Sequence, residues 1–324
     1  MRIFRLAGPI GLFMIGSQVQ AQSACNRDCL ADMLDSYMNA VIAGDPDAAP
    51  IVVGFRQTEN AINVAPGAGV WQTVTGLGQV DRRYYDEVSG QAAYFGTVEE
   101  GDEEAIVTVR LRVEDRELTE AEWYLARADD PGMRGARPPG GPPANLHNPE
   151  YLAMYPPPQR VVPPAQRVDR ATLVRIGDSY FDALTSHDRT VALHHEGCGR
   201  AENGSPAPGG SFLPPADGSE PPPVGSGRDC LAGLEGFDMQ MVVARRTPVV
   251  DIEAQVVLTT GVFIRRPGSQ TPRLVFSEWF VIDDAKIRTV YTSMFYPPND
   301  LAVPNWPPYT GNWPLPAEII PESP

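Results

Sequence analysis

One stretch of this sequence brings together side chains that could move a proton: Cys198, Arg200, Glu202 and Asn203, followed by Gly204. In an extended strand Arg200 and Glu202 share a face, because side chains two residues apart point the same way. A carboxylate so placed can act as a general base, with the guanidinium as its electrostatic partner. The competing reading is a structural ion pair, with Asn203 closing a turn before Gly204. An earlier stretch repeats the ending: Glu59 and Asn60, with Arg56 close by. There Phe55, Gln57 and Glu59 would share one face, and Arg56, Thr58 and Asn60 the other. Glu278 lies on the face of Phe276 and Phe280, where a carboxyl is costly unless paired or functional. It reads either as a salt bridge between domains or as a catalytic acid. Tyr37 and Tyr180 fall on the apolar faces of their helices, hydroxyls inward, as candidate site residues or as core tyrosines with satisfied hydroxyls.

Two repeats position these groups. Residues 30–60 and 173–203 align without a gap at an offset of 143, so that Asp35-Ser36-Tyr37 matches Asp178-Ser179-Tyr180 and Glu59-Asn60 matches Glu202-Asn203. Two separated matches in one register indicate a duplication. Each repeat opens with an amphipathic helix: Leu30, Met33, Leu34, Tyr37, Met38, Val41 and Ile42 in the first, Leu173, Ile176, Tyr180, Phe181 and Leu184 in the second. Strands are expected over Gln91–Val98, Ala105–Val113 and Leu118–Leu125, then over Val249–Ile264 (broken or bent), Arg273–Ile282 and Lys286–Phe295. Short acidic turns, Glu114–Glu117 and Asp283–Lys286, suit hairpins between the last two strands of each repeat. Val107, Val109, Leu111 and Val113 should point inward and Thr108, Arg110 and Arg112 outward. Helices first and a meander afterwards make an α+β fold, helices packed in the concavity of a curved antiparallel sheet.

The composition narrows the class. The chain has 324 residues, 26 basic and 41 acidic side chains, a net charge of −15 and 42% hydrophobic residues. Such an acidic surface argues against nucleic-acid binding, and no apolar run is long enough to span a membrane as a helix. Arg2 and Arg5, an apolar run to Ile15, and Val19-Gln20-Ala21 read as a signal peptide over residues 1–21, placing the mature chain in the periplasm or outside the cell. There Cys25, Cys29, Cys198 and Cys230 are expected to form two disulfides, the local pairing being Cys25–Cys29 and Cys198–Cys230. Proline clusters between Pro131 and Pro164, between Pro206 and Pro223, and from Pro297 onward. These segments read as a linker (129–169), a long loop and a Pro/Trp-rich tail (299–324), which leaves domains at 22–128 and 170–298.

Other chemistry finds less support. His194-His195-Glu196 suggests a metal, but adjacent histidines point apart on a helix and no third ligand is in range. Arg82-Arg83 and Arg245-Arg246 precede matching strands, as anion readers or solvated strand ends. Asn203-Gly204-Ser205 is a glycosylation sequon, which in a eukaryotic host would require exposure. No phosphate-binding glycine loop or nucleophile elbow is present, so no cofactor and no metal is expected.

The order of helix, short helix, strand ending in Glu-Asn, and long meander resembles the NTF2-like (SnoaL-like) superfamily. The Cys-x3-Cys start and two Glu-Asn repeats resemble secreted tandem members of it, over residues 25–127 and 168–298. The resemblance implies two cone-shaped domains packed as an intramolecular pseudo-dimer, each with one deep, mostly apolar pocket. It implies a cofactor-independent lyase, dehydratase or isomerase acting on a small hydroxylated or aromatic molecule, a carbon–carbon lyase included. The alternative is a non-enzymatic secreted binding module with an apolar cavity. Homo-oligomers are compatible with either. The second repeat is the expected carrier of the chemistry, because its motif is the more complete.

Overall fold

A computed structural model of the chain describes residues 25–207 and 229–297, apart from the side chain of Glu235. The signal-peptide reading, most of the second proline cluster and the tail therefore lie outside the described residues. The fold is α+β, in two similar halves. The first half begins with helix α1 (Arg27–Ala43), started by the Asn26 side chain accepting the Cys29 amide and ended at Gly44 in the left-handed region, φ 64°. Strands β1 (Ile51–Glu59) and β2 (Ile62–Val64), the short helix α2 (Val70–Thr73), and strands β3 (Gly76–Asp86), β4 (Gln91–Glu100), β5 (Glu103–Glu114) and β6 (Glu117–Ala126) follow. Helix α3 (Pro149–Met154) sits in the connection. The second half repeats the plan: α4 (Arg170–Ser186), then β7 (His194–Glu202), β8 (Ser205–Pro206), β9 (Met241–Asp251), β10 (Val256–Ile264), β11 (Leu274–Asp283) and β12 (Lys286–Phe295).

Each half forms one six-stranded mixed sheet, in the order β2-β1-β6-β5-β4-β3 and β8-β7-β12-β11-β10-β9. The meander strands pair antiparallel, while β1 joins β6, and β7 joins β12, in parallel. The acidic hairpin turns hold Asp115 and Arg116, and Asp284 and Ala285, at positive φ, as two-residue turns of the primed kind require. α1 covers one face of the first sheet with Leu30, Leu34, Tyr37 and Val41; α4 covers the second with Leu173, Ile176, Tyr180 and Phe181.

Two strand expectations are corrected. The sheets are mixed rather than wholly antiparallel, because β1 and β7 join them in parallel; the segment 249–264 is broken, as expected, into the end of β9, a turn over residues 252–255, and β10. Arg82-Arg83 and Arg245-Arg246 do not precede strands; they lie within β3 and β9. Arg83 pairs with Asp81 and Asp35, and Arg245 with Asp182 at 3.0 Å, so neither is a bare strand end.

The outer faces of the two sheets pack against each other. Val80, Tyr84, Phe95 and Ile106 meet Val249, Leu258, Trp279 and Tyr291 in one apolar cluster. Thr108 and Arg110 point away from α1 as the alternation requires, yet they are buried, because the second half covers that face. Thr108 Oγ1 accepts the Trp279 indole N–H at 2.8 Å across the seam. Glu122, also buried, accepts from Arg110 (3.1 Å) and from both terminal nitrogens of Arg246 (2.9 and 2.8 Å). Burial alone would push the Glu122 carboxyl up, but Arg110 and Arg246 hold it at about 2.

The seam is reciprocal at its ends. Arg27, at the start of α1, reaches Asp251 at the end of β9 (2.8 Å), and Arg170, at the start of α4, reaches Asp86 at the end of β3 (2.5 Å). Asp251 also accepts the Tyr85 amide and Asp86 the Val250 amide. Arg27 and Arg170 stand at the same offset of 143 as the repeated motifs. Such self-complementary pairing is the mark of a two-fold interface, here within one chain. The Pro-rich connection is ordered and touches both halves: Leu152 and Tyr155 enter the seam cluster, Arg82 donates to the Pro157 carbonyl, and Arg160 ion-pairs with Asp283.

Candidate functional site

Tyr180, Arg200, Glu202 and Glu278 come together beneath α4, on the face of the second sheet that this helix covers. Glu278 on β11 is opposite Thr259 on β10 and Thr292 on β12; Thr292 is in turn opposite Glu202 on β7. Directly paired residues share a face, so Thr259, Glu278, Thr292 and Glu202 form one polar row across four strands. Phe276 and Phe280 lie on the same face of β11, packed with Phe181 of α4. Glu278 is therefore not a salt bridge between domains: it faces the interior of the second half.

The charges in this interior are unevenly satisfied. Arg200 Nε lies 3.0 Å from a Glu202 oxygen. Its Nη1 donates to the Cys230 carbonyl at 2.9 Å and to the Tyr180 hydroxyl at 3.3 Å, and its Nη2 to the Ala232 carbonyl at 3.5 Å. The Tyr180 hydroxyl donates to the Cys230 carbonyl at 3.5 Å, and burial raises its pKa. The Cys198–Cys230 disulfide fixes the same loop to β7. By contrast, Glu278 Oε2, Thr259 Oγ1 and Thr292 Oγ1 are buried and have no hydrogen-bond partner among the described residues. Burial pushes the Glu278 carboxyl up to about 8; Arg200 opposes this and Glu202 adds to it. Glu278 is thus a neutral acid at pH 7 and can donate a proton.

The first half shows what this place looks like when it is filled. The strand registers put Tyr94, Val109, Trp123 and Glu59 where the second half has Thr259, Glu278, Thr292 and Glu202. The helix offset puts Leu34 where α4 has Gly177, and Gln57 where β7 has Arg200. Every polar group there has a protein partner. Gln57 Oε1 accepts from Tyr37 (2.9 Å) and Trp71 (2.8 Å), and Trp123 donates to the Tyr37 oxygen at 2.9 Å. Glu59 accepts from the Val70 amide and from Gln57. Its pKa is raised by burial and held back by the Val70 amide. The interior of the second half thus carries a glycine, two threonines and a carboxylic acid where the first has leucine, tyrosine, tryptophan and valine.

The remaining candidates lie elsewhere. Arg56 is on the seam side of β1, among the charges of Glu122, Glu120, Arg246 and Arg110, and burial lowers its pKa. Asn60 and Asn203 sit in the left-handed region, φ 48° and 46°, and both amides are taken up by backbone. Asn60 pairs with both backbone groups of Leu125; Asn203 pairs with those of Met294 and also donates to the Asn145 carbonyl. Gly204 follows at φ 83°, where a Cβ would lie 2.1 Å from the Asn148 carbonyl oxygen. With Asn203 fully buried, the sequon is closed to glycosylation in the folded chain. Asn203→Ala should cost roughly 2 kcal/mol of stability by orphaning the Met294 and Asn145 groups, and leave Glu278 unchanged; a denaturant titration checks this.

His194 and His195 are on strand β7 rather than a helix, and ligand atoms do lie near His194. Its ring, Cys198 Sγ and an Asp229 oxygen fall within 4.8 Å of one another. Cys198 is in the disulfide and Asp229 is held by Arg189, so the sulfur is not a thiolate. The second disulfide, Cys25–Cys29, staples the start of α1. A groove of about 640 Å³ runs between Pro131–Gly135, Gln270–Pro272 and Tyr296. Another of about 480 Å³ is lined by Val162, His195, Asp283, Asp284 and Arg288.

Sequence reasoning found Arg200, Glu202, Tyr180 and Glu278 but missed Thr259, Thr292 and Gly177. The signal was available for Gly177: continuing the offset of 143 sets it against Leu34. Among known families, a domain of unknown function, DUF8021, matches residues 166–294, from just before α4 almost to the end of β12. No curated protein matches the chain.

Proposed function

We propose that the chain is an exported protein built of two NTF2-like (SnoaL-like) halves, and that the second half is a cofactor-independent acid–base catalyst. The reaction class is that of a lyase, dehydratase or isomerase acting on a small hydroxylated or aromatic molecule. The observation that carries this reading is Glu278, a fully enclosed carboxyl without a protein partner on its Oε2. A protein that needed only a core would place a valine there, as the first half does with Val109. Glu278 supplies a proton near neutral pH, Glu202 accepts one, and Arg200 steadies the charge on Glu202. Tyr180 and the Cys198–Cys230 disulfide hold Arg200 and its loop in place, and the first half is the scaffold. The two disulfides support an oxidising compartment, periplasmic or extracellular. No helix of the described residues is long and apolar enough to cross a membrane.

The test is deuterium exchange. Small hydroxylated and aromatic carbonyl compounds, incubated with the protein in D₂O, should gain deuterium at carbon or lose water, followed by NMR. Glu278→Gln and Glu202→Gln should each lower the rate by about 100-fold or more, and Glu59→Gln should leave it unchanged. Equal rates in all three variants would refute the assignment.

A binding module is the second reading. It is favoured by the aromatic lining, since Phe181, Phe263, Phe276 and Phe280 form a contiguous ring cluster around the row. It predicts ligand capture that survives Glu278→Gln, with no exchange.

A further inference from the structure

We infer that the ligand of the second half's interior is an uncharged molecule with at least two hydroxyl or carbonyl oxygens about 5 Å apart, read by Thr259, Glu278 and Thr292 as a row. The inference rests on the reading of this interior as a ligand site and narrows what enters it. The three groups stand on adjacent strands in direct register, so their Cα atoms are spaced by about one strand separation, near 5 Å. Each threonine hydroxyl can donate one hydrogen bond and accept others, and a carboxylic acid does both. All three are buried with an unmet oxygen, and a buried polar group without a partner is costly. A ligand oxygen between each pair would satisfy them. Oxygens on neighbouring carbons are too close to bridge the row; oxygens across a six-membered ring fit.

The charge of the ligand follows from what is already occupied. Arg200 is a cation of this interior, ion-paired with Glu202 and donating to the Tyr180 hydroxyl and to the Cys230 and Ala232 carbonyls. Its charge is already compensated by Glu202, so an anion entering this enclosed place would find no spare counter-charge. The Glu202 carboxylate repels an anion further. A cationic ligand would face Arg200 at close range and would have to ionise Glu278 in an enclosed, aromatic-lined place. Gly177 keeps the helix from intruding: a Cβ there would already touch Val257 at 3.5 Å, Phe280 at 3.6 Å and Thr259 Oγ1 at 3.7 Å, so a methyl fits but a leucine would reach into the row.

Ligand-observed saturation-transfer NMR on the full mature chain tests this with matched probes. Cyclohexane-1,4-diol is set against cyclohexane-1,2-diol, and glucose against glucuronate and glucosamine. The expected result is signal transfer to the 1,4-diol and to glucose. Affinity should fall at least about tenfold in Thr259→Val/Thr292→Val, which keeps side-chain shape and removes two hydrogen-bonding groups. Gly177→Leu should abolish binding, and the double valine variant guards against that substitution failing to fold. Glucuronate or glucosamine binding as well as glucose, and lost in Gly177→Leu, would overturn the ligand class while leaving the site. Binding by no probe, or binding indifferent to all three substitutions, would overturn both the class and the site.

Discussion

Glu278→Gln should make the protein more stable while it stops the proposed chemistry. Glu278 is ionised above about pH 4.5 in the unfolded chain but only above about 8 in the folded one. A raised carboxyl pKa leaves its contribution intact below pH 4.5, and that contribution is lost as pH climbs towards 8. Gln keeps the shape and never ionises, so the variant and the parent should match at pH 4 and diverge steadily above it. At pH 7 the gain is on the order of 2–3 kcal/mol, less than the shift alone implies because the amide is itself incompletely bonded. Thermal unfolding at pH 4, 5.5, 7 and 8.5 measures it. A gap that does not grow between pH 5 and 8 would mean Glu278 is ionised in the folded protein, and it would remove the acid from the mechanism. Stability given up at one interior position is the usual signature of a group kept for function.

Glu122→Gln should do the reverse, and by more. In the parent this carboxylate compensates Arg110 from its own half and Arg246 from the other, within a seam that excludes water. Removing it leaves guanidiniums facing each other, and breaking a buried pair in this way costs about 3–5 kcal/mol. The held-down carboxyl also dictates acid behaviour: its contribution is full above about pH 4.5 and is lost as pH falls towards 2. The variant should therefore lose stability at pH 7 and show a flatter acid limb. Adding Arg246→Gln should return a substantial part of the loss, since the uncompensated charge goes with it. Chemical denaturation of the two single variants and the double closes that cycle; a double variant whose loss equals the sum of the two single losses would show that the pair does not couple.

Much of the layout was legible because duplication amplifies weak signals. Tyr37 and Tyr180 mark the buried helix faces, and the alternation from Val107 to Val113 marks the inner face of β5. What one copy could not show was the fate of the outer faces. Thr108 and Arg110 read as outward-facing from the alternation, and only the packed second sheet makes them interior. Strand β9 was half hidden for a similar reason: Arg245 and Arg246 interrupt its apolar run, and their partners, Asp182 and Glu122, are far away in sequence. Of the site, the charged members stood out by chemistry. Thr259 and Thr292 did not, since a threonine in a strand is unremarked until its hydroxyl is seen to lack a partner. Asn60 and Asn203 drew attention by repetition, which reflects their shared hold on the backbone of β6 and β12.

The crossed arginines at the seam bear on how the chain is made. Arg27 is synthesised long before Asp251, and Asp86 long before Arg170. Until the second half emerges, the first must wait with Tyr84, Phe95 and Ile106 uncovered and its two end locks open. At about 5–20 residues per second, that interval is on the order of ten seconds. A nascent first half therefore carries an open apolar face until its own sequel arrives to cover it.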